Sequence, residues 1–595
     1  MPVNTFHEDE IQIEVLKKDT LIRLFKYLLE YKKTIAIVLT IMLFSIGISL
    51  VNPMLVERAI DVHIANGDIK SLIKLAVFAV AINFIYIIGV KVRMLLMADI
   101  SNKAILTIRE QLYIHIQKLS FHFFDSRPTG KILARIIADV NSLKDVMSDS
   151  VTTLIPDFLT IIGVLVIMMV KNWKLGMSAI LTLPVLGVGM YIVQTYGHRR
   201  WQIFRKKSSN LTAFIHEDLS GIRVVQSFSA EKESEESMDE LLEEHRKSFM
   251  DAVRISDAFG PLADLSWALG GFLLYFIGIK LLGVDNVEVG TLIAFSSYLG
   301  MFWSPIRNLA NFYNKLVTNI SGAERVFDIM DTEPEIKDRD EVVEIPHIQG
   351  EVCFEDVSFA YSDAPDKEVL HNVSFTIQPG ETIALVGPTG AGKTTIVNLI
   401  SRFYDIKSGK ILVDGYDIKD VSIHSLRKQM GIMTQDNFLF SGTIMENIRY
   451  GNLNASDEDI MVAARAVNAH DFIMKTEEGY QTMIKERGAG LSIGQCQLLA
   501  FARTMVSMPR ILVLDEATSS IDTHTERLVQ DGIEKLLKGR TSFVIAHRLS
   551  TIKKADRIFV IDQGCVMEEG NHEQLMEMKG AYYELYQAQF KSLVS

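Results

Sequence analysis

Eight consecutive residues, Gly387-Pro388-Thr389-Gly390-Ala391-Gly392-Lys393-Thr394, carry the clearest chemistry in this chain. They follow an apolar run, Thr382 to Val386, and precede a helix-forming one, Thr395 to Ile400, which is the strand, loop and helix setting that a phosphate-binding loop requires. The glycines let successive backbone N–H groups turn inward onto phosphate oxygens, Lys393 reaches the terminal phosphates, and the Thr394 hydroxyl offers a ligand to Mg²⁺. A second apolar run, Ile511 to Leu514, delivers two carboxylates at its end, Asp515 and Glu516. Asp515 is expected to hold the Mg²⁺ shell and Glu516 to polarise an attacking water as general base. An acidic pair ending a strand is ordinarily a solvated turn. The phosphate loop upstream is what gives this one a role.

The same half of the chain holds Tyr361 after Val357-Ser358-Phe359-Ala360, Gln435 after Gly431-Ile432-Met433-Thr434, and Leu491-Ser492-Ile493-Gly494-Gln495. Asp522 closes Ser519-Ser520-Ile521, and His547 follows the apolar run Thr541 to Ala546. Singly, each has a mundane reading: an edge-strand aromatic, a solvated loop glutamine, a satisfied histidine at a strand end. In this order, and over nearly the whole second half, they resemble an ATP-binding-cassette transporter. The resemblance implies ATP and Mg²⁺ as cofactors. It implies that Tyr361 stacks on the base, with Gly387, Gly390, Gly392, Lys393, Thr394 and Thr395 around the phosphates. Glu516, His547 and Gln435 become the catalytic residues, and Thr394, Gln435 and Asp515 the metal ligands. Asp522 would cross a dimer seam, while Ser492, Ile493, Gly494 and Gln495 form the signature presented to the nucleotide of the other subunit.

That signature departs from the family pattern. The family has Leu-Ser-Gly-Gly-Gln followed by Arg, whereas this chain has Ile493 at the first glycine position and Cys496 at the arginine position. A signature works as a helix N-terminus approached closely by a γ-phosphate, and a β-branched side chain widens or distorts that approach. The chain therefore keeps the hydrolytic side of one site and offers a poor signature to the other. A heterodimer, with a different subunit supplying a standard signature, is the expected arrangement; a homodimer that tolerates Ile493 is the alternative.

The elements that position these residues come in two dissimilar parts. The chain has 595 residues, 48% of them hydrophobic, and a formal net charge of -12, which argues against a nucleic-acid partner. Cys353, Cys496 and Cys565 show no metal-ligand spacing and suit a reducing compartment. Six apolar stretches before residue 315 are long enough to cross a bilayer: about Thr34 to Asn52, Leu75 to Val90, Val151 to Val170, Leu175 to Tyr196, Leu262 to Leu282 and Val289 to Trp303. Short connections alternate with long ones. The long ones carry Lys91, Arg93, Lys103, Arg109, Lys118, Arg127 and Lys131, then Arg199, Arg200, Arg205, Lys206 and Lys207, so they face the cytoplasm, as do both termini. No cleaved secretory signal is expected, and Leu21 to Leu29 reads either as an interfacial helix, about 20–31, or as an extension of the first span.

This layout resembles the exporter branch of the family: a membrane all-α six-helix domain (1–325), a linker (326–349) and an α/β P-loop NTPase domain (350–595). It is similar to the subunit of a heterodimeric bacterial multidrug exporter that keeps its catalytic glutamate, set in the cell membrane. Phe123-Phe124-Asp125 with Thr129-Gly130, and Glu217 to Phe228, resemble coupling segments. The implied function is ATP-driven export of hydrophobic or amphipathic, drug-like compounds, with a lipid flippase as the alternative. Implied partners are a second half-transporter, membrane lipid and the hydrophobic substrate. Asp157, Asp264, Asn83 and Trp267 are polar or amphipathic groups in or near the spans, open to either a substrate or a packing role. No peptidase domain is expected before Leu21, so leader-peptide export is the disfavoured expectation.

Overall fold

The computed structural model describes residues 18–181, 183–281, 288–339, 341–362, 364–433, 437–515, 523–546 and 548–594. The chain forms two compact units, Met1–Gln117 with Gly130–Thr332, and Lys118–Thr129 with Glu333–Ser595. Twelve residues that lie early in the sequence thus fold with the second unit.

Every regular element among the described residues of the first unit is a helix. It opens with α1 (Lys18–Leu29), whose Leu24 and Leu28 are buried while Ile22 and Leu29 stay exposed. Next come α2 (Lys32–Arg58) and the very long α3 (Ile69–Ile116), started by Asp68 accepting from the Ser71 N–H. A π-helical turn, Ala59–Ile64, extends α2. Apolar side chains on the span portion of α3, among them Val77, Val80, Phe84 and Ile87, point outward, as a lipid-facing helix requires. Asn52 and Asn83 exchange amide hydrogen bonds of 3.0 Å in both directions, pairing α2 with α3 inside the apolar layer. Asn83 is therefore accounted for as helix packing.

Beyond Lys118–Thr129, α4 (Val140–Asp149), α5 (Ile155–Lys171), α6 (Trp173–Ile180) and α7 (Leu183–Ser220) follow. The short α8 (Ile222–Ser227) turns the chain into α9 (Glu231–Ser256), which packs back along α7; α10 (Phe259–Phe276) and α11 (Val289–Asp331) complete the unit. Among the described residues five helical stretches are long and apolar enough to span a membrane: Lys32–Ile64, Ile69–Ile116, Thr129–Lys171, Glu231–Lys280 and Val289–Ile306. The expected fourth span, Leu175 to Tyr196, is shared between α6 and α7, and Thr182 within it lies outside the described residues.

Two polar clusters fix this bundle. Lys171 at the end of α5 pairs with Glu57 of α2, Thr291 of α11 donates to the same carboxylate, and Asp61 accepts from the Gly290 N–H at the start of α11. Further along α11, Arg325 grips Asp139 through two bonds, Nε to Oδ2 at 3.0 Å and Nη2 to Oδ1 at 2.9 Å, and Arg135 adds a third. Gly322 allows that approach, because a Cβ there would sit 2.9 Å from the Ser142 hydroxyl.

The second unit is α/β. Its strands are β1 (Val352–Ala360), β2 (Glu368–Ile377), β3 (Thr382–Val386), β4 (Ser408–Val413), β5 (Tyr416–Asp417), β6 (Met430–Met433), β7 (Gly442–Thr443), β8 (Met483–Ile484), β9 (Ile511–Asp515), β10 (Thr541–Ile545), β11 (Arg557–Asp562) and β12 (Cys565–Gly570). A six-stranded sheet runs β12-β11-β3-β10-β9-β6, parallel except for the edge strand β12, and an antiparallel sheet runs β2-β1-β4-β5. The continuous apolar runs expected for a sheet buried on both faces are what the structure contains. Ile383, Leu385, Val513, Phe543 and Ile545 pack into one core, and their neighbours Ala384, Val386, Leu512, Leu514 and Val544 into the other. Because β3, β10, β9 and β6 are parallel, their C-terminal ends share one edge of the sheet, where a ligand site belongs.

Candidate nucleotide site

The site begins at the end of β3. Gly387 has φ +146°, and a Cβ there would fall 2.0 Å from the Ile561 carbonyl oxygen, so only glycine fits. Gly392 caps the helix Lys393–Ile400 at φ +106°, with Leu370 and Val369 crowding the place a side chain would take. Gly390 has φ +83° with open space around it, so it serves the backbone turn and not the packing. Lys393 Nζ donates to the carbonyls of Gly387 at 2.8 Å and Pro388 at 2.7 Å, which closes the loop on itself. Burial lowers the proton affinity of Lys393, and the Asp515 carboxylate opposes that, so the start of this helix and the end of β9 are within electrostatic reach.

Thr394 is exposed on the first turn of the helix, and Thr395 beside it is buried, its hydroxyl 3.0 Å from the Tyr361 hydroxyl. Tyr361 follows β1 and packs perpendicular to Phe359 and to Tyr404, with ring centroids 4.8 and 5.1 Å away. Tyr361, the phosphate loop, Thr394, Thr395 and Asp515 thus belong to one unit, at the ends of the elements that the sequence assigns to them. The exposed Thr394 hydroxyl and the Asp515 carboxylate are hard oxygen donors of the kind Mg²⁺ takes. Among the described residues no cluster of three His, Cys, Asp or Glu forms. Gln435, Glu516, Asp522 and His547 lie outside the described residues; β6 and β9 end two and one residues before Gln435 and Glu516, and β10 two before His547.

The signature segment is fully formed. Ser492 caps the helix Ile493–Ser507, accepting from the Gln495 N–H at 3.2 Å while Gln495 Oε1 accepts from the Ser492 N–H at 2.9 Å. Ile493 is the first helical residue, its side chain 57% exposed at the helix N-terminus, while Gly494 is buried. It is not among the residues with positive φ, so isoleucine strains nothing within this chain. Its effect is confined to whatever approaches that N-terminus. Cys496 is half-buried and packs against the core beneath, and burial pushes its thiol pKa up.

Sequence reasoning missed Tyr404. It follows the phosphate-loop helix in Arg402-Phe403-Tyr404-Asp405, and its hydroxyl donates to Asp125 Oδ2 at 2.7 Å. Phe121 meets Phe403 at 4.4 Å between ring centroids, so the segment Lys118–Thr129 is seated by an aromatic contact as well as a hydrogen bond. The other expected coupling segment differs: Leu219, Val224 and Phe228 around α8 are 63%, 61% and 81% exposed.

Residues 35–306 match the family of the ABC transporter transmembrane region, and residues 370–519 match the ABC transporter family. The chain is 40% identical to the ABC transporter ATP-binding protein YknV of Bacillus subtilis over 591 residues, 99% of this chain and 98% of that one. It is 41% identical to an ATP-dependent lipid A-core flippase of Syntrophus aciditrophicus, over 84% of this chain and 82% of the relative. A solved structure of a bacterial Atm1-family ABC exporter with ATP bound superposes with a TM-score of 0.78 at 28% identity, covering 94% of this chain and 98% of that one.

Proposed function

Because this chain belongs to the ABC transporter family, with an exporter's membrane region joined to an ATP-binding domain, we propose that it drives hydrophobic or amphipathic, drug-like compounds out across the cell membrane as one half of a heterodimer. It is a multi-pass membrane ATPase coupled to transport, and it functions as a dimer. The observation that carries the heterodimer is the exposed Ile493 side chain at the N-terminus of the signature helix. It occupies the ground over which phosphate oxygens would reach the N–H groups and the Ser492 hydroxyl. A partner with a standard signature would complete the site built on Lys393, Thr394 and Asp515.

In that site Tyr361 holds the base, and the phosphate loop with Thr395 holds the phosphates. Glu516 acts as general base with His547 and Gln435 beside the reacting phosphate, and Asp522 crosses the seam. Thr394, Asp515 and Gln435 would hold Mg²⁺, which would supply neutralisation of the phosphate charge. ATP favours the closed pair of nucleotide domains only by its higher affinity for that state, and hydrolysis releases it. Lys103, Arg109, Lys118 and Arg127 in the long connection support a cytoplasmic position for both termini. A lipid cargo is the second reading, favoured by the 41% identity to a lipid A-core flippase; transport of a labelled lipid against a lipophilic dye in the same vesicles separates the two.

ATP turnover by the purified chain alone in lipid is expected near background, and coexpression with a half-transporter bearing a standard signature is expected to restore it. Ile493→Gly in the chain alone is expected to raise turnover by about tenfold or more, the scale of one regained oxyanion-type contact. Strong turnover by the unaltered chain alone, abolished by Glu516→Gln, would instead establish a homodimer.

A further inference from the structure

Tyr404 is buried, and each part of it meets a different neighbour. Its ring packs perpendicular to Tyr361 at 5.1 Å and to Phe359 at 5.9 Å. Its hydroxyl leaves that aromatic cluster and donates to Asp125 Oδ2 at 2.7 Å. Burial first, and Asp125 second, push the phenol pKa far above its ordinary value, with Glu335 adding to the negative charge it faces, so the hydroxyl remains a donor at any physiological pH. Tyr361 is in turn tied through its own hydroxyl to Thr395, next to Thr394 on the phosphate-loop helix. A continuous path of side chains therefore runs from the segment Lys118–Thr129 to Tyr361 and the first turn of that helix.

We propose that Tyr404 is a positioning residue with two separable duties: its ring sets the tilt of Tyr361, and its hydroxyl ties that aromatic cluster to the segment Lys118–Thr129 through Asp125. The proposal rests on the reading of Tyr361 as the residue that stacks on adenine. The two duties follow from the geometry. A perpendicular ring contact is kept by any planar aromatic, whereas the bond to Asp125 needs the hydroxyl. Loss of the ring should weaken nucleotide binding; loss of the hydroxyl should leave binding alone and break the response of the rest of the chain to it.

The test uses the full chain with whichever partner gives turnover, in lipid, reading KM for ATP, kcat, and the ATP-induced distance change between spin labels at Asn66 and Lys174, both exposed. Tyr404→Phe and Asp125→Asn are each expected to keep KM within about twofold while cutting the label response roughly threefold or more, and the double variant should be no worse than either single one. Tyr404→Leu is expected to raise KM for ATP about fivefold, the worth of an aromatic pair. An intact label response in Tyr404→Phe, an unchanged KM in Tyr404→Leu, or additive losses in the double variant would each overturn the proposal. Tyr361→Ala serves as the separate check: an unchanged KM there strikes the adenine reading itself, whatever Tyr404→Phe does.

Discussion

Lys393 does two things at once in this fold, donating to the Gly387 and Pro388 carbonyls and lying within electrostatic reach of Asp515. Its ammonium is a compact charge with three donors, a role a planar guanidinium cannot copy. Lys393→Ala and Lys393→Arg are both expected to lower kcat for ATP hydrolysis by about 10²–10³, with the arginine variant recovering little of it; a turnover assay in lipid with radiolabelled ATP measures this. The phosphate loop was legible in the sequence because glycine spacing encodes backbone geometry directly. Positive φ at Gly387, Gly390 and Gly392 is what only glycine provides cheaply. Tyr404 was not legible, since its partner Asp125 is 279 positions away and no local pattern marks either residue. Ile493 was legible as a departure, but its physical meaning needed the structure, which puts the side chain outside the helix and leaves the backbone unstrained.

At the scale of elements, apolar length picked out the five helical stretches that are long enough to span a membrane among the described residues, because bilayer thickness sets the length a span needs. What apolar length could not reveal is how α11 is held. Asp139 meets Arg325 of α11 and Arg135 of its own segment. Burial works to raise the Asp139 pKa, and the two arginines outweigh it, leaving the carboxyl below its ordinary value. A carboxylate depressed in the folded state contributes stability above its unfolded pKa, near 4, and loses it as pH falls through the folded value. Thermal unfolding in detergent should therefore show Asp139→Asn destabilised by about 2 kcal/mol at neutral pH. The difference from the unaltered chain should shrink steadily below pH 4. A difference constant down to pH 3 would mean the pair contributes by shape alone.

For the whole molecule, the feature that asks for a second chain is the apolar tip around α8. Leu219, Val224 and Phe228 are exposed at the turn between the polar end of α7 and the mostly polar α9. A large side chain 81% exposed in one chain is the kind of anchor that a partner buries. Phe228→Asp is expected to leave the isolated chain folded, with an unchanged melting temperature, while weakening co-purification with the partner subunit about tenfold or more. Loss of folding in the isolated variant would place Phe228 in the chain's own packing instead.

The seating of Lys118–Thr129 in the second unit also sets a schedule for synthesis. Tyr404 is the 279th residue that a ribosome adds after Asp125, which takes roughly 15–60 s at ordinary elongation rates. During that interval Phe121 and Asp125 have been made, and Phe403 and Tyr404, which seat them, have not. A lesion anywhere in the later half that delays the seat leaves the early segment uncovered, where chaperones and proteases can read it. Defects of the ATP-binding half should then surface first as loss of the membrane half from the cell.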